Sequence, residues 1–312
     1  MTKIICGVDI SKKHLDARIA PGEAFVRLAN DAAGIAKLAA FCAEHKAELV
    51  VMEATGGFER LAFTLLWEAG VACAIANPRS VRQYAEAMGF LEKTDRIDAF
   101  IIARFAQSKG LKPTPPISKN QCRLKGLVVR LRQLTDDLTV NKQRRYQVTD
   151  AEIRATFDES IALIKRQSRR LEGEIASLID DDPLWAVLDK TFRTMKGVAD
   201  RTVARLMAEL PEIGTYDNKA IAKLVGLAPL ANDSGKKNGK RSIRGGRAGV
   251  RSILVLVAGI ARRYDDGLAD FHRRLVAAGK PKMVVRVALA HKLLVRLNAK
   301  ARDARVQFAN AT

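Results

Sequence analysis

Aromatic side chains are scarce: Phe, Trp and Tyr make up 5% of the 312 residues. That argues against the base-stacking platforms of RRM and OB domains. Cysteine and histidine are equally sparse, four of each. Cys6, Cys42, Cys73 and Cys122 include no CxxC pair, and the histidines are dispersed. This argues against a zinc site and a disulfide framework, and fits a reducing cytoplasm. Long apolar runs are missing too. The longest, Ser252 to Ala261, is too short to span a bilayer. No signal peptide is expected, because Met1-Thr2-Lys3 leads directly into a strand-like run. Acid is in deficit: 34 Asp and Glu stand against 54 Lys and Arg, a formal net charge of +20. Such an excess points to a polyanionic partner, nucleic acid ahead of membrane. Residues 1–110 hold 14 basic and 13 acidic residues, which leaves 40 and 21 for the rest. The basic surface therefore belongs to residues 111–312.

What is present begins with short apolar runs that alternate with helical patterns. Lys3 to Ile10 reads as a buried strand with Asp9 near its end, and Leu15 to Ile19 as its hairpin return. A third strand is expected over Glu23 to Ala29, then a helix capped by Asn30 or Asp31 and running to about Lys46. Glu48 to Glu53 is a further buried strand ending on a carboxylate. A helix over Phe58 to Ala69, a strand over Val71 to Ala76, a short helix over Arg79 to Met88 and a helix opening at Asp95 complete the order β-β-β-α-β-α-β-α-α. The fold expected is an α/β sheet with helices on both faces.

Asp95 and Asp98 are three residues apart and share a helical face, while Ile97, Ile101 and Phe105 form an apolar stripe. A carboxylate at the end of a buried strand is costly without a partner. Asp9, Glu53, Asp95 and Asp98 together suit Mg²⁺, with Mn²⁺ as a substitute. Two such ions about 4 Å apart can stabilise both oxygens of a phosphoryl displacement. The competing reading has Asp9 capping a turn and Glu53 paired with an arginine such as Arg96.

Pro113-Thr114-Pro115-Pro116 signals a linker. Leu124, Leu127, Leu131, Leu134 and Leu138 then follow heptad spacing, as do Phe157, Ile161, Ile164, Leu171, Ile175 and Leu178, with Ser168 between. Two long helices from about 119 to 180 are expected, as a coiled coil within one chain or between two. The divisions are 1–112, a helical coiled-coil linker 113–183, and a mainly helical 184–312. Met195 to Ala204 is either a helix-hairpin-helix turn against DNA phosphates or an ordinary helical turn. Residues 231–251 carry seven basic residues and one acid, with glycines that let a backbone come close. Lys236, Lys237, Lys240, Arg241, Arg244, Arg247 and Arg251 are the candidate nucleic-acid contacts. Ser234 stands at the start of this loop as a candidate nucleophile, with Ser242 and Ser252 as rivals.

Gly7-Val8-Asp9-Ile10-Ser11-Lys12, Met52-Glu53-Ala54-Thr55-Gly56 and Lys93 to Ala99 resemble the DEDD motifs of the insertion-sequence 110 family of transposases, relatives of the Piv/MooV DNA invertases. Gly226-Leu227-Ala228-Pro229, Asp233-Ser234-Gly235 and Gly245-Gly246 resemble that family's C-terminal domain, in the expected order. The resemblance implies an RNase-H-like, RuvC-like N-terminal domain holding Mg²⁺ through Asp9, Glu53, Asp95 and Asp98. It also implies a helical C-terminal transposase domain whose serine, here Ser234, attacks a DNA phosphodiester and forms a transient phosphoserine link. It further implies donor and target DNA, a structured noncoding guide RNA, and a dimer or a tetramer built as a dimer of dimers. Two other readings stand beside this site-specific recombinase. One is a RuvC-like junction nuclease using water. The other is a non-catalytic nucleic-acid binder with structural acids.

Overall fold

The computed structural model describes residues 3–90, 95–231, 233–234, 239 and 241–311, with Asp95 and Arg96 described by backbone alone. It forms two compact units, Met1–Ile117 and Ser118–Thr312. The first has the expected element order. Strands β1 (Ile5–Ile10), β2 (His14–Ala20) and β3 (Phe25–Ala29) make an antiparallel meander. Helix α1 (Ala32–Glu44), capped by Asp31, leads to β4 (Leu49–Glu53). Helix α2 (Glu59–Glu68), β5 (Cys73–Ala76), α3 (Pro78–Ala87) and α4 (Asp95–Lys109) follow. The sheet order is β3-β2-β1-β4-β5, with β4 parallel to β1 and β5 parallel to β4. This mixed sheet is the RNase-H-like arrangement that the motif resemblance implies.

Side-chain alternation along β1 explains both faces. Cys6, Val8 and Ile10 point into a core with Ile35, Leu38, Ala62 and Leu66 of α1 and α2. Ile5 points the other way, into a core with Val81, Ile101, Ile102 and Phe105 of α3 and α4. Gly7 lies on this second face. A Cβ there would sit 2.1 Å from the Ala99 carbonyl oxygen and 2.6 Å from the Ala103 nitrogen. Glycine on the strand and alanines on the helix thus let α4 lie directly on the sheet.

The second unit is helical: α5 (Lys119–Gln147), α6 (Ala151–Asp180), α7 (Pro183–Arg193), α8 (Asp200–Glu209), α9 (Asn218–Val225), α10 (Ala248–Ala261), α11 (Asp266–Ala277) and α12 (Lys282–Ala311). The heptad seam closes between α5 and α6 as an antiparallel hairpin. Arg123 pairs with Glu174 near one end and Arg145 with Asp158 near the other. Leu124, Leu127, Leu131 and Ile175 of this seam share one core with α7 to α12, so the helices expected as a linker pack into the second unit. Helix α12 runs through that core on Leu289, Leu293, Leu294, Leu297 and Ala301. The turn from Met195 to Ala199 joins α7 to α8, and Asp200 at the start of α8 pairs with Arg193.

Candidate active site

Strand register brings the first two acids side by side. Val8 pairs with Met52 in the parallel β1–β4 ladder, so the next residues, Asp9 and Glu53, stand level at the carboxyl ends of adjacent strands. Ligands of open α/β sheets bind beyond such strand ends. Asp9 shares the sheet face of Gly7, the face on which α4 lies, and α4 carries Asp98 one residue before Ala99. Asp9, Glu53 and Asp98 line one cleft of about 780 Å³, together with Thr55, Arg79 and Arg82. All three acids are half-buried. The side chain of Asp95, the fourth expected acid, and that of Arg96 lie outside the described residues. Among the described residues, no three His, Cys, Asp or Glu groups form a ready-made metal cluster. The cleft's acidic donors are carboxylates alone, and an all-oxygen set fits a hard divalent cation.

Two features, one beside the cleft and one in it, were not legible in the sequence. Asp16 lies directly across the β1–β2 ladder from Asp9 and is buried. Arg27, its ladder partner on β3, holds it in a fork of 2.7 and 3.1 Å. The only local signal was a carboxylate at an inward position of β2. Arg79 and Arg82 come to the cleft on the first turns of α3, behind the Asn77 cap. There the helix dipole adds to their positive charge.

The candidate serine lies in the second unit, between α9 and α10. Gly226 ends α9 in the left-handed conformation, φ 78°. Gly246, also left-handed, packs on it: a Cβ on Gly246 would be 2.3 Å from the Gly226 nitrogen. The strands leaving this neck are bridged once more, Leu230 N donating to Ser242 O at 2.9 Å. Farther out, Asp233 accepts from the Gly239 N–H at 3.1 Å, and Ser234 is exposed. Ser242 takes part in the bridge through its backbone, and its side chain is exposed. Ser252 lies on α10 instead, and its hydroxyl donates to the Ala248 carbonyl.

The seven basic candidates divide. Lys236, Lys237 and Lys240 lie outside the described residues. Arg241 and Arg244 are exposed. Arg247 and Arg251 are turned into the protein. Arg247 forks onto Glu212 with two bonds of 2.5 Å and donates to the Glu209 carbonyl at 2.9 Å. Arg251 donates to the Gly245 carbonyl at 2.6 Å and to Val225 and Gly226 at 3.3 and 3.5 Å. Burial pushes the Glu212 carboxyl up, but the Arg247 fork outweighs it and holds the group below the usual carboxylate range. Among the described residues, no helix is long and apolar enough to cross a membrane.

A DEDD-type transposase model matches residues 6–151, and a second, described as transposase IS116/IS110/IS902 family, matches residues 189–273. The pilin gene-inverting proteins of Moraxella lacunata and Moraxella bovis are each 26% identical over 310 residues, 94% of this chain and 94% of theirs. An insertion element IS110 43.6 kDa protein of Streptomyces coelicolor is 30% identical over 146 residues, 46% of this chain and 35% of its own. Two solved structures of Thermus thermophilus RuvC, one with a Holliday junction substrate, each cover 36% of this chain and 99% of their own. Their identities are 16 and 17%, with TM-scores of 0.27 and 0.26. The two family models match in order and between them span most of the sequence: the chain belongs to the IS110 family of transposases, enzymes that cut and rejoin DNA.

Proposed function

We propose that this chain is the recombinase of a mobile insertion element, acting on donor and target DNA through a serine nucleophile and a carboxylate-bound metal. The observation that carries the reading is the convergence of Asp9, Glu53 and Asp98 on one cleft at the strand ends. These three, with Asp95, hold Mg²⁺, preferably two ions, and Mn²⁺ can replace it. The bound metal supplies charge neutralisation for a phosphodiester under attack. Arg79 and Arg82 contact the DNA backbone at the cleft's rim. Ser234 is favoured over Ser252 because it stands on an exposed loop, whereas the Ser252 hydroxyl is tied to its own helix. The Ser234 hydroxyl gives up its proton as its oxygen bonds to phosphorus. The departing sugar oxygen takes up a proton, and the new phosphoserine ester conserves the bond for rejoining. Arg241, Arg244, Lys236, Lys237 and Lys240 hold the phosphates beside it. A structured RNA from the element names the target by base pairing, and the active assembly is a dimer or tetramer.

The metal half of this reading is tested by titrating Mn²⁺ into wild type, Asp9→Asn and Glu53→Gln by calorimetry, with DNA cleavage assayed in parallel. Both substitutions should weaken binding by at least tenfold and abolish cleavage. Unchanged binding in both would remove these acids from the metal site.

A further inference from the structure

The Ser234 loop is fastened at its neck by two arginines whose positive charges face protein rather than solvent. Arg251, one turn into α10, places a single guanidinium nitrogen against carbonyls from both stems: Val225 and Gly226 on the outgoing side, Gly245 on the returning side. Arg247, the residue before α10, sends its side chain to α8 and the segment after it. There it meets both oxygens of Glu212 and the Glu209 carbonyl. Its backbone N–H donates to the Leu224 carbonyl at 3.1 Å, tying the same two stems again. The glycines explain why the clamp closes. A Cβ on Gly226 would lie 2.3 Å from the Gly245 oxygen and 2.5 Å from the Arg251 guanidinium. Glu212 is itself held from behind. Arg305 of α12 donates to the carbonyls of Pro211 and Ile213 at 3.0 and 2.9 Å. Buried Asn298 accepts from the Gly214 N–H at 2.8 Å and donates to Tyr216.

From this arrangement we infer that Arg251 and the Arg247–Glu212 pair are positioning residues, which fix the angle at which the loop presents Ser234, and are not phosphate contacts. This rests on the reading of Ser234 as the nucleophile, and it gives Arg247 and Arg251 a role different from that of Arg241 and Arg244. The physical distinction is sharp. A phosphate contact needs only a cation, and lysine serves. The Arg247 fork on both oxygens of Glu212 needs the planar guanidinium, which lysine cannot reproduce, whereas Arg251 meets its three carbonyls through one nitrogen. A nucleophile misplaced by about 1 Å can lose roughly 100-fold in rate.

The test uses full-length wild type, Arg247→Lys, Arg251→Ala, Glu212→Gln, Arg244→Ala and Ser234→Ala. Three quantities are read. The first is the slope of log affinity against log salt for a random-sequence DNA duplex. The second is the rate of tryptic cleavage within 231–244. The third is the rate of covalent protein–DNA adduct formation at saturating DNA from the element's ends. Arg244→Ala should lower the slope by about 0.9, the value for one lost phosphate contact. The slope should stay unchanged in Arg247→Lys, Arg251→Ala and Glu212→Gln. Arg247→Lys and Glu212→Gln should be cut several-fold faster in the loop and form adduct roughly 100-fold more slowly. Arg247→Lys that matches wild type in loop cleavage and adduct rate would overturn the proposal, as would a slope lowered by about 0.9 in Arg251→Ala. Should Arg251→Ala fail to fold, Arg247→Lys and Glu212→Gln decide alone. Adduct persisting in Ser234→Ala would instead overturn the nucleophile reading, while the loop-cleavage rates still judge the clamp.

Discussion

Gly7 shows how one missing methyl places a site. Two residues before Asp9 and on the same sheet face, it lets the backbone of α4 come within contact distance of β1. On an open strand, Gly→Ala gains about 0.4–1 kcal/mol by restricting the unfolded chain. Here the added carbon would meet the Ala99 oxygen at 2.1 Å, a backbone atom that can move only if α4 moves. Overpacking costs about 1–3 kcal/mol and outweighs that gain. Gly7→Ala should therefore lower the unfolding free energy of the protein in urea by about 1–3 kcal/mol. It should also weaken Mn²⁺ binding, since Asp98 rides on the displaced helix. A variant as stable as wild type, with unchanged metal affinity, would contradict the close-packing account. Glu212 makes a pH-dependent statement at the same scale. Its folded pKa lies below its ordinary value. The stability it contributes is thus fully present above the unfolded pKa, about 4.3, and is lost as pH falls through the lower folded value. Melting temperature should fall more steeply with acid in wild type than in Glu212→Gln below about pH 4.3. Parallel curves would mean the Arg247 fork contributes nothing.

Among the elements, α12 has more to do than fill the core. Asn298 is fully buried and serves three partners: the Gly214 N–H, the Tyr216 carbonyl and the Asn218 side chain. Asn298→Ala leaves a buried N–H unsatisfied, a loss of about 1–3 kcal/mol that urea unfolding would register. A change near zero would remove Asn298 as the hub of the α8–α9 connection. The elements themselves were largely legible. Strands β1, β4 and β5 are short apolar runs stopped by turn residues, and the leucines of α5 keep heptad spacing until the hairpin thins near Leu138. Asp9, Glu53 and Asp98 could be grouped because each stands at the end of a strand or on the helix that follows. Arg247 and Arg251 could not be sorted from Arg241 and Arg244. Their partners are Glu212, 35 residues earlier, and carbonyls that only the folded neck brings together. The burial of Asp16 was hidden for a similar reason, because its neutralising arginine belongs to the next strand.

For the whole molecule, charge is divided along the chain as chemistry is. The near-neutral residues 1–110 carry the cleft acids, and residues 111–312 hold 40 of the 54 basic residues. A DNA complex held by 6–10 phosphate contacts loses about 10³–10⁵ in affinity between 50 and 200 mM salt. Binding of a random duplex should show that steep, linear log–log dependence, and a flat profile would contradict backbone recognition. Affinity does not report chemistry, however. The most direct measurement is to incubate the full chain with Mg²⁺, DNA from the element's ends and RNA transcribed from its flanks, then denature and look for protein joined to DNA. The expected result is an adduct that maps to Ser234, vanishes in Ser234→Ala and is weakened in Asp95→Asn. Cleaved DNA with no adduct in the wild type would contradict the serine mechanism and make the cleft that of a hydrolytic nuclease.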